Sequence, residues 1–163
     1  MTVAALAAVG LAAILPYRAR LICNVSPSVP VGIYRFTPGA AKPGDLAVVH
    51  LPAALRAFAD ARGYLPRSLL LLKPVAATSG DVVCGIGPRL WIKRASVPMR
   101  TVDGLSRPLP AWRGCRRLIP GEVFLLSPAP DSYDSRYFGP LDIRHVIGTA
   151  IPLFTFANRR EVP

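Results

Sequence analysis

Apolar and polar positions along this chain fall into short runs, most of them strand-length rather than helix-length. The exception is the start, where residues 3–15 are uninterruptedly apolar and the first charge is Arg18. Seventeen uncharged residues at about 1.5 Å each would span roughly 25 Å as a helix, so residues 1–20 read as a signal peptide or signal anchor. The flanking charge is reversed from the usual export pattern, since Arg18 and Arg20 follow the run and no basic residue precedes it. A buried N-terminal helix is the competing reading.

After a Lys42-Pro-Gly-Asp45 turn, residues 46–51 form a strand pattern. Pro52 then opens a short amphipathic helix through Leu55, Phe58, Ala59 and Arg62, closed by Gly63. Residues 68–75 are a leucine-rich run, read as a buried strand, with Lys73 near its end. A Ser79-Gly80-Asp81 turn leads to strands at 82–86 and 90–93. Residues 95–120 carry six prolines or glycines and read as an irregular hairpin or extension. A strand at 123–127, a polar loop at 131–139 and a last strand at 145–154 complete the pattern, and the tail from 157 is polar. The prediction is mostly β: a partly closed barrel with one or two short helices, following the apolar N-terminal segment. Eighteen prolines and thirteen glycines point the same way, away from a helix bundle.

Charge adds a partner class. The net charge is +11, with seventeen arginines against three lysines, Lys42, Lys73 and Lys93. The basic residues are scattered, and no nucleic-acid motif or aromatic stacking strand accompanies them, so nucleic acid is not an expected partner. An anionic membrane surface is, although an arginine-preferring genome would explain the charge equally well. The cysteines Cys23, Cys84 and Cys115 and the histidines His50 and His145 show no metal-ligand spacing, so neither a metal nor a cofactor is expected. Three cysteines permit one disulfide. Cys23 lies beside the apolar segment, which leaves Cys84–Cys115 as the favoured pair and implies an oxidising compartment.

Two stretches could carry chemistry. In Asn24-Val-Ser26-Pro27-Ser28-Val29-Pro30-Val-Gly32-Ile-Tyr34, the prolines fix φ near −65° and push Ser26 and Val29 toward extended backbone. That would hold a serine hydroxyl on a stiff support, as a nucleophile requires, or simply make a rigid linker. Lys73 either reaches from a strand end to water or is buried. Burial would lower its pKa from about 10.4 and let its amine take a proton from a serine near neutral pH. No Ser-His-Asp set is apparent, so a Ser–Lys dyad is the nucleophilic arrangement left open.

The Ser-Pro-Ser-Val-Pro stretch, Lys73 with Gly80-Asp81 after it, and Ser132-Tyr-Asp134-Ser135-Arg136-Tyr-Phe-Gly139 occur in this order. Together they resemble the type I signal peptidase superfamily, over residues 24–152. Val29 stands where ordinary signal peptidases carry Met, and with Pro30-Val-Gly-Ile-Tyr34 it places the resemblance in the conjugative branch, the TraF-type pilin-maturation peptidases. The resemblance implies a β-rich catalytic domain, 21–163, in the periplasm on the outer face of the inner membrane. It implies Ser28 as nucleophile, Lys73 as general base, and an oxyanion hole from the Ser26 hydroxyl and the Ser28 backbone N–H. Ser132 would orient the lysine amine, an Asp134–Arg136 ion pair would brace the loop, and Gly80-Asp81 would hold the Lys73 strand. Cys84 and Cys115 also sit where such sequences tend to have cysteines. The implied substrate is a pilin precursor, cleaved and in some members cyclised, with inner-membrane lipid and the conjugative secretion machinery as further partners. Rival readings are a general signal peptidase and a non-enzymatic basic membrane component of the channel.

Overall fold

The structure, a computed structural model, describes residues 20–156. The apolar run expected as an anchor lies outside the described residues, as does the tail from 157. Among the described residues no helix is long and apolar enough to cross a membrane.

The strands are β1 (Arg20–Asn24), β2 (Gly32–Pro38), β3 (Leu46–Val49), β4 (Leu71–Thr78), β5 (Val82–Ile86), β6 (Arg89–Ile92), β7 (Ala95–Pro98), β8 (Gly114–Arg117), β9 (Glu122–Leu125), β10 (Leu141–Asp142) and β11 (Val146–Thr155). Among the described residues two α-helices join them, α1 (Ala53–Ala61) and α2 (Ser135–Phe138). Seven strands form one sheet in the order β1-β2-β11-β3-β4-β9-β10, and four form a smaller one, β7-β6-β5-β8. The larger sheet curls into a half-barrel, as the sequence pattern predicts.

The last strand makes the curl. β11 pairs antiparallel with β2 on one side and β3 on the other, and its register shifts at Pro152/Phe154 and at Val146/Gly148. Such irregularities bend a strand and raise its twist. The space inside and behind the sheet is filled by three apolar clusters. One of them, Val29, Tyr34, Phe36, Val48, Leu72 and Ala150, sits under the 25–31 loop.

The helix at 52–63 and the strands near 46, 82, 90, 123 and 145 fall where the pattern puts them, within a few residues. Three places differ. β1 and β2 are a strand pair flanking the Ser-Pro stretch, so this stretch is a hairpin loop and not a linker. The strand carrying Lys73 begins at Leu71, and Leu69 and Leu70 are left exposed. Residues 131–139 are not a polar surface loop: Ser132, Asp134, Ser135 and Arg136 are all buried, and α2 forms within them. The 95–120 segment contributes two strands, β7 and β8, to the small sheet. Cys84 and Cys115 lie opposite each other on β5 and β8 and form the favoured disulfide. Cys23 is free and exposed.

Gly32 begins β2 directly after the Ser-Pro loop. A Cβ added there would lie 2.1 Å from the Phe154 carbonyl oxygen, a clash with backbone that cannot move aside cheaply. Gly32→Ala is therefore expected to prise β11 from β2, with a loss on the order of 1–3 kcal/mol in a thermal or urea melt. The same substitution at Gly39, where no neighbour lies within 4 Å but φ is +135°, strains only its own turn and should leave the 25–31 loop unaffected in hydrogen exchange.

Candidate active site

The hairpin of β1 and β2 holds the loop that carries Ser26 and Ser28. Asn24, the last residue of β1 and buried, organises it. The Asn24 amide donates to the carbonyls of Ser26 (2.9 Å), Val29 (3.1 Å) and Pro30 (3.0 Å), and its side-chain oxygen accepts from the Ser26 N–H (3.1 Å). The Tyr34 hydroxyl donates to the Pro30 carbonyl at 2.5 Å. From the opposite side the Ser127 hydroxyl donates to the Ser28 carbonyl. The prolines set the local backbone, and these side chains tie it into a single conformation.

Lys73 approaches from β4, where it pairs with Ala47 of β3. The lysine side chain is interior, meeting the Ser28 hydroxyl of the hairpin loop, with 3% of its surface exposed. Its amine donates to the Ser28 hydroxyl oxygen at 2.5 Å. Burial pulls the amine from its ordinary value down to about 8; the nearby Asp134 carboxylate opposes this shift and the Arg136 guanidinium adds to it. A lysine near 8 is neutral in a large fraction of molecules in weakly alkaline conditions, which is what proton removal from a serine needs.

The Ser26 hydroxyl lies 3.0 Å from the Ser28 hydroxyl and accepts from the Ser28 N–H at 3.4 Å. The Ser26 hydroxyl therefore sits against both the hydroxyl and the backbone N–H of Ser28. Asp134 and Arg136 form a fully buried ion pair at 2.8 Å. Asp134 also accepts from the Ser127 N–H (3.0 Å), and Arg136 donates to the Ser127 carbonyl (2.6 Å) and the Ala129 carbonyl (3.1 Å). The pair thus fixes Ser127, and Ser127 in turn fixes the Ser28 backbone.

Ser132 is buried and lines the same cavity as Ser28 and Lys73, but its hydroxyl makes no hydrogen bond, so the expected bond to the lysine amine is not formed in this structure. Gly80 and Asp81 are farther away and act on the strand. The Asp81 carboxylate accepts from the Thr78 N–H (3.1 Å), and the Gly80 N–H donates to the Leu118 carbonyl (2.9 Å), closing the turn after β4. The sequence marks Asn24 and Tyr34 only as the ends of the Ser-Pro stretch, without a role, and does not single out Ser127. An Asn just ahead of a Ser-Pro turn is a recognisable turn-former; nothing in the sequence marks Ser127.

A cavity of about 790 Å³ opens beside the Ser28–Lys73 pair. Leucines at 21, 65, 69, 70 and 109 make much of its wall, which explains why exposed Leu69 and Leu70 have no core partner. The volume lies in the range of about 300–1,000 Å³ typical of ligand pockets, enough for several residues of an extended peptide.

Residues 1–154 match the family model described as signal peptidase, peptidase S26. Over 96% of its length the chain is 35% identical to the probable conjugal transfer protein TraF of Sinorhizobium fredii, covering 87% of that protein. It is 38% identical to the conjugal transfer protein TraF of Agrobacterium tumefaciens, over 82% of this chain and 81% of the relative. A plasmid transfer protein TraF of Escherichia coli is 30% identical, with 86% of each chain covered.

Proposed function

The chain belongs to the signal peptidase S26 family, a family of serine peptidases, and from that premise we propose that it processes a pilin precursor for conjugative transfer through a Ser28/Lys73 acyl-enzyme. The observation that carries this is the 2.5 Å contact between a buried lysine amine and a serine hydroxyl, at the mouth of a cleft sized for a peptide. In the proposed reaction neutral Lys73 takes the Ser28 proton as the serine oxygen attacks the scissile carbonyl. The Ser28 N–H and the Ser26 hydroxyl hold the resulting oxyanion. The Lys73 ammonium then gives its proton to the departing amine. Water resolves the acyl-enzyme to a linear product, whereas the precursor's own N-terminal amine would resolve it to a cyclic one. The mass of the product tells the two apart.

The link to conjugation rests on the names of the relatives. The apolar run ahead of β1 supports an inner-membrane anchor, and the Cys84–Cys115 bond supports a periplasmic catalytic domain. The test uses donor cells producing the full chain or its Ser28→Ala variant at equal levels in the membrane. Maturation of the precursor is expected to stop in the variant, and continued maturation would falsify the assignment. Pulse-labelling of several unrelated exported precursors separates the reading from a general signal peptidase, under which all would accumulate uncleaved.

A further inference from the structure

One ion-pair cluster lies away from Ser28 yet forms part of the cleft. It joins the segment just after α1 to the 101–109 loop, two stretches about forty residues apart that share no strand. Asp103 is at its centre, with 7% of its side chain exposed. Its carboxylate accepts from the Tyr64 hydroxyl (2.5 Å) and Arg107 Nε (2.7 Å), and Arg62 Nη1 lies 3.5 Å away. The link is reciprocal: Arg62 donates to the Pro108 carbonyl (3.0 Å) and Arg107 donates to the Arg62 carbonyl (2.9 Å). Desolvation alone would raise the Asp103 pKa, but the hydrogen bonds from Tyr64 and Arg107 hold it well below the usual carboxylate range, so the cluster stays charged at working pH.

Both stretches face the cavity. Tyr64, Leu65 and Pro66 from the first stretch and Asp103, Gly104 and Leu109 from the second line the same cavity as Ser28 and Lys73. Tyr64 also packs its ring 5.2 Å from Tyr133, which stands between Ser132 and Asp134 in sequence. We propose that Arg62, Tyr64, Asp103 and Arg107 form a clasp that sets the width of the peptide cleft. On this reading they are specificity-determining residues for a substrate with an extended apolar stretch beside its scissile bond. The 101–109 loop has little apolar packing to hold it there, so the charged hydrogen bonds fix the wall.

The inference rests on the acyl-enzyme reading above, and the experiment separates the two. Full-length Asp103→Asn and Tyr64→Phe variants are assayed for precursor cleavage and for hydrolysis of p-nitrophenyl acetate, an ester too small to need the clasp. KM for the precursor is expected to rise about tenfold in Asp103→Asn, less in Tyr64→Phe, and to recover partly in Asp103→Glu. Precursor kcat, its pH midpoint and the ester rate should stay at wild-type values. The clasp is overturned if KM is unchanged, or if ester and precursor rates fall together, which is loss of the fold and not of the cleft. If Asp103→Asn does not fold, a wild-type KM in Tyr64→Phe is enough to overturn it. Ester hydrolysis that survives in Ser28→Ala would instead refute the nucleophile.

Discussion

Replacing Lys73 with arginine is expected to lower precursor cleavage by about 10²–10⁴-fold, the contribution of a positioned general base. Arginine keeps the charge but cannot lose its proton at any usable pH. It would also crowd a site where the lysine is 3% exposed and already 2.5 Å from Ser28. The wild-type rate should rise with pH through a midpoint near 8, because only the neutral amine accepts the Ser28 proton. The arginine variant should show no such rise. Lys93 is exposed and pairs with Asp81 at 3.4 Å, and Lys42 sits in an exposed turn, so arginine at either position should leave the rate near normal. A pH–rate series on the three variants decides, and a Lys73→Arg enzyme near wild type would end the Ser–Lys assignment.

The same pKa has a cost in stability. The unfolded chain keeps the Lys73 proton up to about pH 10.4, whereas the folded chain releases it near 8. Between those values the unfolded state binds more protons, so stability rises with pH across that window, and below it the buried ammonium carries its full penalty. A shift of this size corresponds to about 3 kcal/mol. Lys73→Met, of similar volume and uncharged, should therefore be inactive yet melt at a higher temperature at pH 7.

The second large effect is expected at Asp134 and Arg136. Both side chains are fully buried, and removing one partner leaves the other's charge uncompensated, a loss of about 3–5 kcal/mol. That is a large part of the stability of a typical domain, about 5–15 kcal/mol. Activity should fall further than the melt alone explains, because Asp134 and Arg136 hold Ser127 and Ser127 holds the Ser28 carbonyl. The pH profile supplies a readout that unfolding does not mimic. Asp134 raises the Lys73 pKa and Arg136 lowers it, so Asp134→Asn should move the rate midpoint below 8 and Arg136→Gln should move it above. Identical midpoints in folded fractions of both variants would show that the pair braces the loop without acting on the lysine.

The three motif blocks, the short-strand pattern and the proline-framed serines are local features, and the sequence alone carries them. Proline restricts its own φ and the residue before it wherever it occurs, and period-two apolar runs favour strands in any fold. Cysteine counting is equally local, and it led to the Cys84–Cys115 pair. The sequence also marked Lys73 as unusual, one lysine after four leucines, but could not say whether it was buried or reached water. That was decided by the return of the 25–31 loop onto β4, where the Ser28 hydroxyl meets the buried Lys73 amine.

The 131–139 segment shows where local reading stops. Its serines, aspartate and arginine have the composition of a surface loop, yet Asp134, Ser135 and Arg136 are fully buried because each has hydrogen-bond partners from distant backbone or from the others. Asn24, Ser127 and the Arg62–Asp103–Arg107 clasp act in the same way, through contacts whose worth depends on where the chain returns in space. The sequence by itself determined the family motifs, the strand-rich architecture and the stiff serine loop, because those follow from each residue's own backbone limits and side-chain period. Only the tertiary structure decided which polar groups are buried together, how Lys73 is desolvated and what walls the cleft, because those depend on pairings across tens of residues.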